Sequence, residues 1–303
     1  MIGLGRPLRA LWRDKVVTAA VVFLLVAVIG AALVSWIAPH DPFAGDIGMR
    51  NRPPMTPDAE GGLPHVLGTD PLGRDVLSRI LLGGQVSLSV GVVSVVVSGT
   101  FGVLLGLFAG YFRGRLDDLI MRLVDLQMSV PSLLIALLVL YVLGPSFTNV
   151  VLVLAITRWM VYTRVTRGLM LSLREELFVE AARSLGASHI RTIFRHMLPN
   201  IAGPVLVLAT LELAVMLLTE ASLSFLGLGI QAPDSSWGLM LAEGREYITT
   251  AWWLVTMPGL AILLTTLSIN LLATWLRARS SGRRPADAGV AVEPPVRPVG
   301  EAV

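Results

Sequence analysis

VEAARSLGASHIRTIFRHMLPN, residues 179–200, is polar and arginine-bearing, yet it lies between apolar runs long enough to cross a bilayer. Phe178, Ala181, Ala182 and Leu185 fall at i, i+3, i+4 and i+7, one face of a helix, with Glu180, Arg183 and Ser184 off that stripe. Gly186 can take positive φ and end the helix, and Ser188 can cap the next one. There Ile190, Ile193, Phe194 and Met197 repeat the spacing, with Arg191 and Arg195 off it; Pro199 is tolerated in the first turn of the following span. Periodicity leaves two readings. The helix pair lies in lipid headgroups with its apolar face down, or it is a docking element whose small Ala181 and Ala182 admit another protein surface.

The surrounding chain decides the class. Of 303 residues, 54% are hydrophobic and 15% charged, against about 25% charged in a soluble domain; the mean hydropathy is +0.73. The fold class is an all-α polytopic membrane protein, because barrel strands would be short and alternate apolar with polar residues. Six spans are expected, at 16–38, 86–109, 119–143, 148–165, 201–223 and 251–276. The first is longer than the apolar part of a signal peptide and reads as uncleaved. In the third, Arg122 and Asp125 are spaced to pair on one helix face at the membrane edge, or to serve an ion pathway, and Pro131 permits a kink. Glu212 and Glu220 fall in the fifth span. Glu212 suits a path lining or a structural pair, and Glu220 a helix-end or subunit-interface role.

Arginines gather on one side: the N-terminal cluster, Arg113, Arg115, Arg164, Arg167, Arg174, Arg183, Arg191, Arg195 and the group after the last span. By the positive-inside rule this side and both termini are cytoplasmic. The expected organisation is a cytoplasmic N-terminus (1–15), a membrane domain (16–279) and a disordered, proline-rich cytoplasmic tail (280–303). Within the membrane domain lie an external loop at 39–85, ordered in its second half, and the polar segment at 168–199.

Several chemistries are excluded. The only lysine, Lys15, lacks the glycines and hydroxyl residue of a phosphate-binding loop, so this chain does not hydrolyse ATP. Cysteine is absent, and His40, His65, His189 and His196 lack close metal-ligand spacing, so no metal site is expected. Gly227 and Gly229 follow an apolar helix and read as a turn. Asp70, Arg74 and Asp75 read as a local ion-pair network, or as a contact to a partner. The net charge of +3 reflects topology, and no nucleic acid is implied.

Glu180-Ala181-Ala182, then Gly186, Ile190 and Leu198-Pro199, resemble the EAA motif of bacterial ABC importer permeases. That motif places an isoleucine two residues before its Leu-Pro; here the position is His196. HVLGTDPLGRDVLSRILLGGQVSLSVG (65–91), LSLREELFVEAARSLGAS (171–188) and EASLSFLGLGIQAPDSSWGLML (220–241) are similar to the C-type permeases for dipeptides, oligopeptides and nickel. The end differs: NLLATWLR (270–277) runs into ARSSGRR without the Asp-Pro ending common in relatives.

The resemblance implies a type I importer permease in the bacterial inner membrane, with the EAA helices as a cytoplasmic coupling pair. A second permease subunit, two ATPase subunits that bind ATP and Mg, and an external solute-binding protein would complete the assembly, with no cofactor on this chain itself. Ala181, Ala182 and Gly186 would enter the ATPase cleft, with Glu180 and Arg183 making polar contacts at its rim. The substrate is a dipeptide, a longer peptide, a nickel chelate or glutathione. Two other classes compete: an ion-driven carrier using Asp125, Glu212 or Glu220 as proton sites, and a structural or assembly subunit.

Overall fold

A computed structural model describes residues 14–59 and 61–280. The basic stretch before Asp14 and the tail from Ser281 lie outside the described residues, and so do the expectations made for them. Among the described residues every regular element is helical, with two isolated bridges, Thr56–His65 and Thr69–Asp75.

Helix α1 is Lys15–Ala32, capped by the Asp14 side chain. Helix α2, Val76–Phe112, is capped by Asp75 and begins ten residues earlier than the expected span. Its 37 residues give about 55 Å, more than the hydrocarbon thickness of about 30 Å. One end therefore reaches the loop at residues 39–75, and the other reaches the 177–197 segment. That loop carries hydrogen bonds in both halves of its described residues. Its first half is tied to its second by Asn51 N–H to Asp70 O, Arg52 N–H to Thr69 Oγ1 and Thr69 Oγ1–H to Met49 O.

The expected third span is two helices, α3 (Gly114–Met128) and α4 (Ser132–Leu143), bent by 83°. Pro131 itself has ψ 122°, outside the helical range, and it has no N–H to continue the α3 ladder. The result is a break rather than a kink. Helix α5, Phe147–Leu173, is long enough to span but carries Arg158, Arg164 and Arg167. Among the described residues four helices are long and apolar enough to cross a membrane, or five if the bent pair counts as one.

Helix α6 is Leu177–Ser184. The second half of the polar segment is not a separate helix: α7 runs without interruption from His189 to Phe225. Pro199 offers no N–H to the carbonyl four residues back, and the ladder just before it widens into a π turn at Thr192–Met197. The short α8, Trp237–Gly244, precedes α9, Trp253–Ser280, which runs four residues past the expected end of the sixth span.

Helices α2 and α5 pack most intimately. Gly102, Gly106 and Gly110 form one stripe on α2, and a Cβ at Gly106 would lie 2.6 Å from Thr166 Cβ and 2.7 Å from Thr163 O. Small residues at four-residue spacing let two backbones approach where no side chain would fit. One apolar core joins Val90, Leu140, Leu154, Leu223 and Ile230 across α2, α4, α5, α7 and the turn after it. A second joins Leu107, Tyr111, Met170, Val179, Ile193 and Met197 at the end of α2 that meets the polar segment.

Candidate functional site

The 177–197 segment is rooted in that second core by few residues. Val179 is the fully buried member of α6, and Thr192, Ile193 and Met197 are the fully buried members of the start of α7. The apolar stripe read from periodicity points the other way: Leu185 is 88% exposed, and Phe178, Ala181, Ile190 and Phe194 are also exposed. The expected stripe on the second helix is therefore split, with Ile193 and Met197 inward and Ile190 and Phe194 outward. Packing against α2 and α5 selects the buried face, and one-helix periodicity cannot see that choice.

Gly186 has φ +80° and makes the turn as predicted. Its N–H donates to Arg183 O at 2.9 Å and the Ala187 N–H to Ala182 O at 3.0 Å, a Schellman closure that satisfies the last carbonyls of α6. The Ser188 side chain caps α7 through Arg191 N–H. A Cβ at Gly186 would meet no atom within 4 Å, so the turn faces open space. Glu180 is exposed and Ala182 half-buried, and the Leu198 and Pro199 side chains flank the π turn on α7.

The Arg183 side chain folds back toward α2. Its guanidinium lies 4.9 Å from the centre of the Tyr111 ring, and its Nε is buried without a hydrogen-bond partner. Tyr111, near the end of α2, is hydrogen-bonded through its hydroxyl to His189 Nδ1 at 2.8 Å, and its carbonyl accepts from Arg174 at 2.8 Å. One aromatic thus joins α2 to both halves of the segment, and sequence reading did not find it. Burial, with Arg113 and Arg183 nearby, lowers the Arg174 pKa from the ordinary arginine value. Beside it Arg113 pairs with Glu175 at 2.7 Å, and Arg167 grips Asp117 through two hydrogen bonds of 2.6 and 2.7 Å.

Deeper in the bundle, Glu212 on α7 receives two hydrogen bonds from Arg158 on α5, both 2.7 Å. This is a structural pair across two helices, and its arginine was missed because it lies inside an apolar run. A bidentate arginine–carboxylate contact is the form of buried charge that offsets most of its desolvation. Glu220 is fully buried within the subunit, accepting from Ser87 at 3.0 Å and Ser224 at 2.7 Å. Its side chain therefore presents nothing to a subunit interface. Asp125 pairs with Arg164 at 2.5 Å rather than with Arg122, and both members of the expected pair are exposed. The partner comes from α5, packed alongside, not from the same helix.

At the loop end, Asp70 accepts from Arg74 at 2.7 Å and Arg79 at 2.6 Å, and Arg79 also reaches Glu243 of α8 at 2.7 Å. Asp75 belongs to a different group. His40, His65 and Asp75, far apart in sequence, bring one ligand atom each to within 4.8 Å of one another. The sequence shows no close metal-ligand spacing among the histidines, and the loop brings His40 and His65 together with a carboxylate.

A model of the binding-protein-dependent transport system inner membrane component family matches residues 102–282. The chain is 42% identical to a di/tripeptide transport system permease protein of Pseudomonas aeruginosa, covering 89% of this chain and 90% of the relative. It is 40% identical to a probable D,D-dipeptide transport system permease protein of Escherichia coli, over 86% and 85% of the two chains. A glutathione transport system permease protein of the same species is 39% identical, over 88% and 86%.

Proposed function

Because this chain belongs to the family of binding-protein-dependent transport system inner membrane components, we propose that it is the permease subunit of an ATP-driven dipeptide importer. It forms the translocation path and takes force from partner ATPases through α6 and the start of α7. The observation that carries this reading is the outward apolar face of that segment, Phe178, Ala181, Leu185, Ile190 and Phe194, held on a buried base. An apolar face that the chain's own packing leaves open suits a protein cleft, with Gly186 at its tip and Glu180 as a polar contact.

The coupling mechanism follows from continuity. The second half of the segment is the end of α7, which also carries Glu212 and Glu220. Displacement of a docked segment is delivered into a membrane helix with no hinge loop between them, while the Tyr111 contacts hold α6 and α7 as one body. Closing of two ATPases on ATP and Mg would draw two such segments together and open the path on the opposite side; hydrolysis resets it.

In this reading α5 is a sixth span, shielded by α2 along its glycine stripe, with Arg158 neutralised by Glu212 and Arg164 by Asp125. The membrane domain is 16–279, both termini and the 168–199 segment are cytoplasmic, and the 39–85 loop faces the binding protein. A second permease, different in sequence, completes the path. Peptides are the cargo class, since the relatives named for di- and tripeptides, D,D-dipeptides and glutathione share amide-linked, zwitterionic substrates. The carrier reading, with Asp125, Glu212 or Glu220 as proton sites, is not favoured: the matched family is a binding-protein-dependent transport component, and the relatives are named as permease proteins of transport systems.

The test is reconstitution in proteoliposomes with partner ATPases, a second permease and a binding protein. The importer reading expects dipeptide uptake that requires ATP and binding protein. Uptake by this chain alone under an ion gradient would overturn it.

A further inference from the structure

The loop end of the molecule carries a cluster that the transport cycle does not use. Asp75 caps α2 through Oδ2, which accepts from Ser78 N–H at 2.7 Å and Ser78 Oγ–H at 2.8 Å. Those two bonds fix the carboxylate and aim Oδ1 at a pair of imidazoles. His65 Nδ1 lies 2.9 Å from Oδ1 and His40 Nδ1 lies 3.7 Å from it. The two rings stack at 4.3 Å between centroids, 25° apart in plane. Both nitrogens of His40 are buried and have no hydrogen-bond partner. Burying an unpaired imidazole nitrogen costs free energy, so a group that bound His40 here, against the carboxylate, would recover it. A cavity of about 300 Å³ lined by His40, Asp46, Asp58, His65 and Asp75 opens on the cluster.

The geometry points to a divalent metal site at His40, His65 and Asp75, of the zinc class, that staples the end of the first helix and the loop to the start of α2. Two imidazoles and one carboxylate oxygen are the donor set that suits zinc, and three protein ligands leave a fourth position for water. With the proton of His65 on Nε2, its Nδ1 lone pair is free to coordinate. Asp58 Oδ1 stands 3.9 Å from that Nε2, where it can serve as the carboxylate that orients a metal-bound histidine. Bound metal would supply His40 with the partner it lacks and neutralise part of the acidic charge lining the cavity.

The full-length chain, purified in detergent with its affinity tag removed, is equilibrated with Zn²⁺, desalted and assayed for metal by mass spectrometry. One Zn²⁺ per chain is expected, with a rise in unfolding temperature on loading. His40→Ala and the double variant His40→Ala/His65→Ala should retain no stoichiometric metal, and Asp58→Asn should bind about 10–100-fold more weakly. The metal-free unfolding temperature of His40→Ala serves as the folding control. Should the variants fail to fold, Co²⁺ loaded into the wild-type chain decides: visible bands of tetrahedral nitrogen–oxygen ligation support the site, and their absence overturns it. Equal retention by the double variant, or none by the wild type, also overturns it.

Discussion

Gly186 separates two kinds of constraint that usually act together. Its φ of +80° demands a left-handed backbone, while the space beside it is empty of this chain's own atoms. A non-glycine residue costs about 1–2 kcal/mol for the backbone alone, and asparagine suffers least. Gly186→Asn should therefore keep most transport, whereas Gly186→Trp should leave the subunit folded but uncouple ATP hydrolysis from uptake. Parallel assays of both rates in proteoliposomes check this. Equal loss in the two variants would assign the whole effect to the turn, and full uptake by Gly186→Trp would remove the partner cleft. Arg183 shows the opposite situation. Its charge is spent inside the chain, stacked over Tyr111, an arrangement generally worth about 0.5–2 kcal/mol.

Among the helices, the contact between α2 and α5 is the closest, and α5 holds three arginines, each paired with a carboxylate on another helix. The glycine stripe brings α5 close enough for its Thr163 hydroxyl to donate to Gly102 O at 3.1 Å. Arg158 and Arg164 then find their carboxylates on α7 and α3. Gly106→Leu would force a side chain into Thr166 and the α5 backbone. Overpacking of this kind costs about 1–3 kcal/mol, and here it also prises apart the helices that position the Arg158–Glu212 pair. A lower unfolding temperature in detergent is expected, with Gly106→Ala intermediate; an unchanged temperature for Gly106→Leu would contradict the observed packing. The break at Pro131 has its own consequence. It leaves α3 with Leu116, Leu119, Leu123 and Leu126 exposed along one side and Asp117, Ile120 and Val124 buried on the other.

The molecule as a whole is organised by the length of α2, which links the loop cluster to the Tyr111 junction through one continuous helix. The two ends differ in charge balance: arginines outnumber carboxylates in the 177–197 segment, and carboxylates outnumber arginines in the loop. This polarity implies a fixed orientation in the membrane. Since the chain contains no cysteine, single cysteines report it cleanly. In cells making this subunit without its ATPases, Leu185→Cys, at a position 88% exposed, should react with an impermeant maleimide only after the cells are opened, and Ile47→Cys, at one 80% exposed, should react in intact cells. The reverse pattern would invert the proposed topology.

Local chemistry made a good part of this protein legible before any coordinates. Long uncharged runs identify membrane helices because no other environment accepts them. A glycine followed by a capping serine identifies the turn at 186–188, because both act on the nearest backbone. The motifs at 65–91, 171–188 and 220–241 pointed to the family that the matched relatives bear out. Hidden from such reading were the relations that join distant parts of the chain: Arg158 with Glu212, Asp125 with Arg164 instead of Arg122, Tyr111 with His189, and His40 with His65 and Asp75. The reason is geometric. Periodicity reports which residues share a face of one helix, but which face is buried, and which charge lies within 3 Å of another, depends on how helices far apart in the chain are packed.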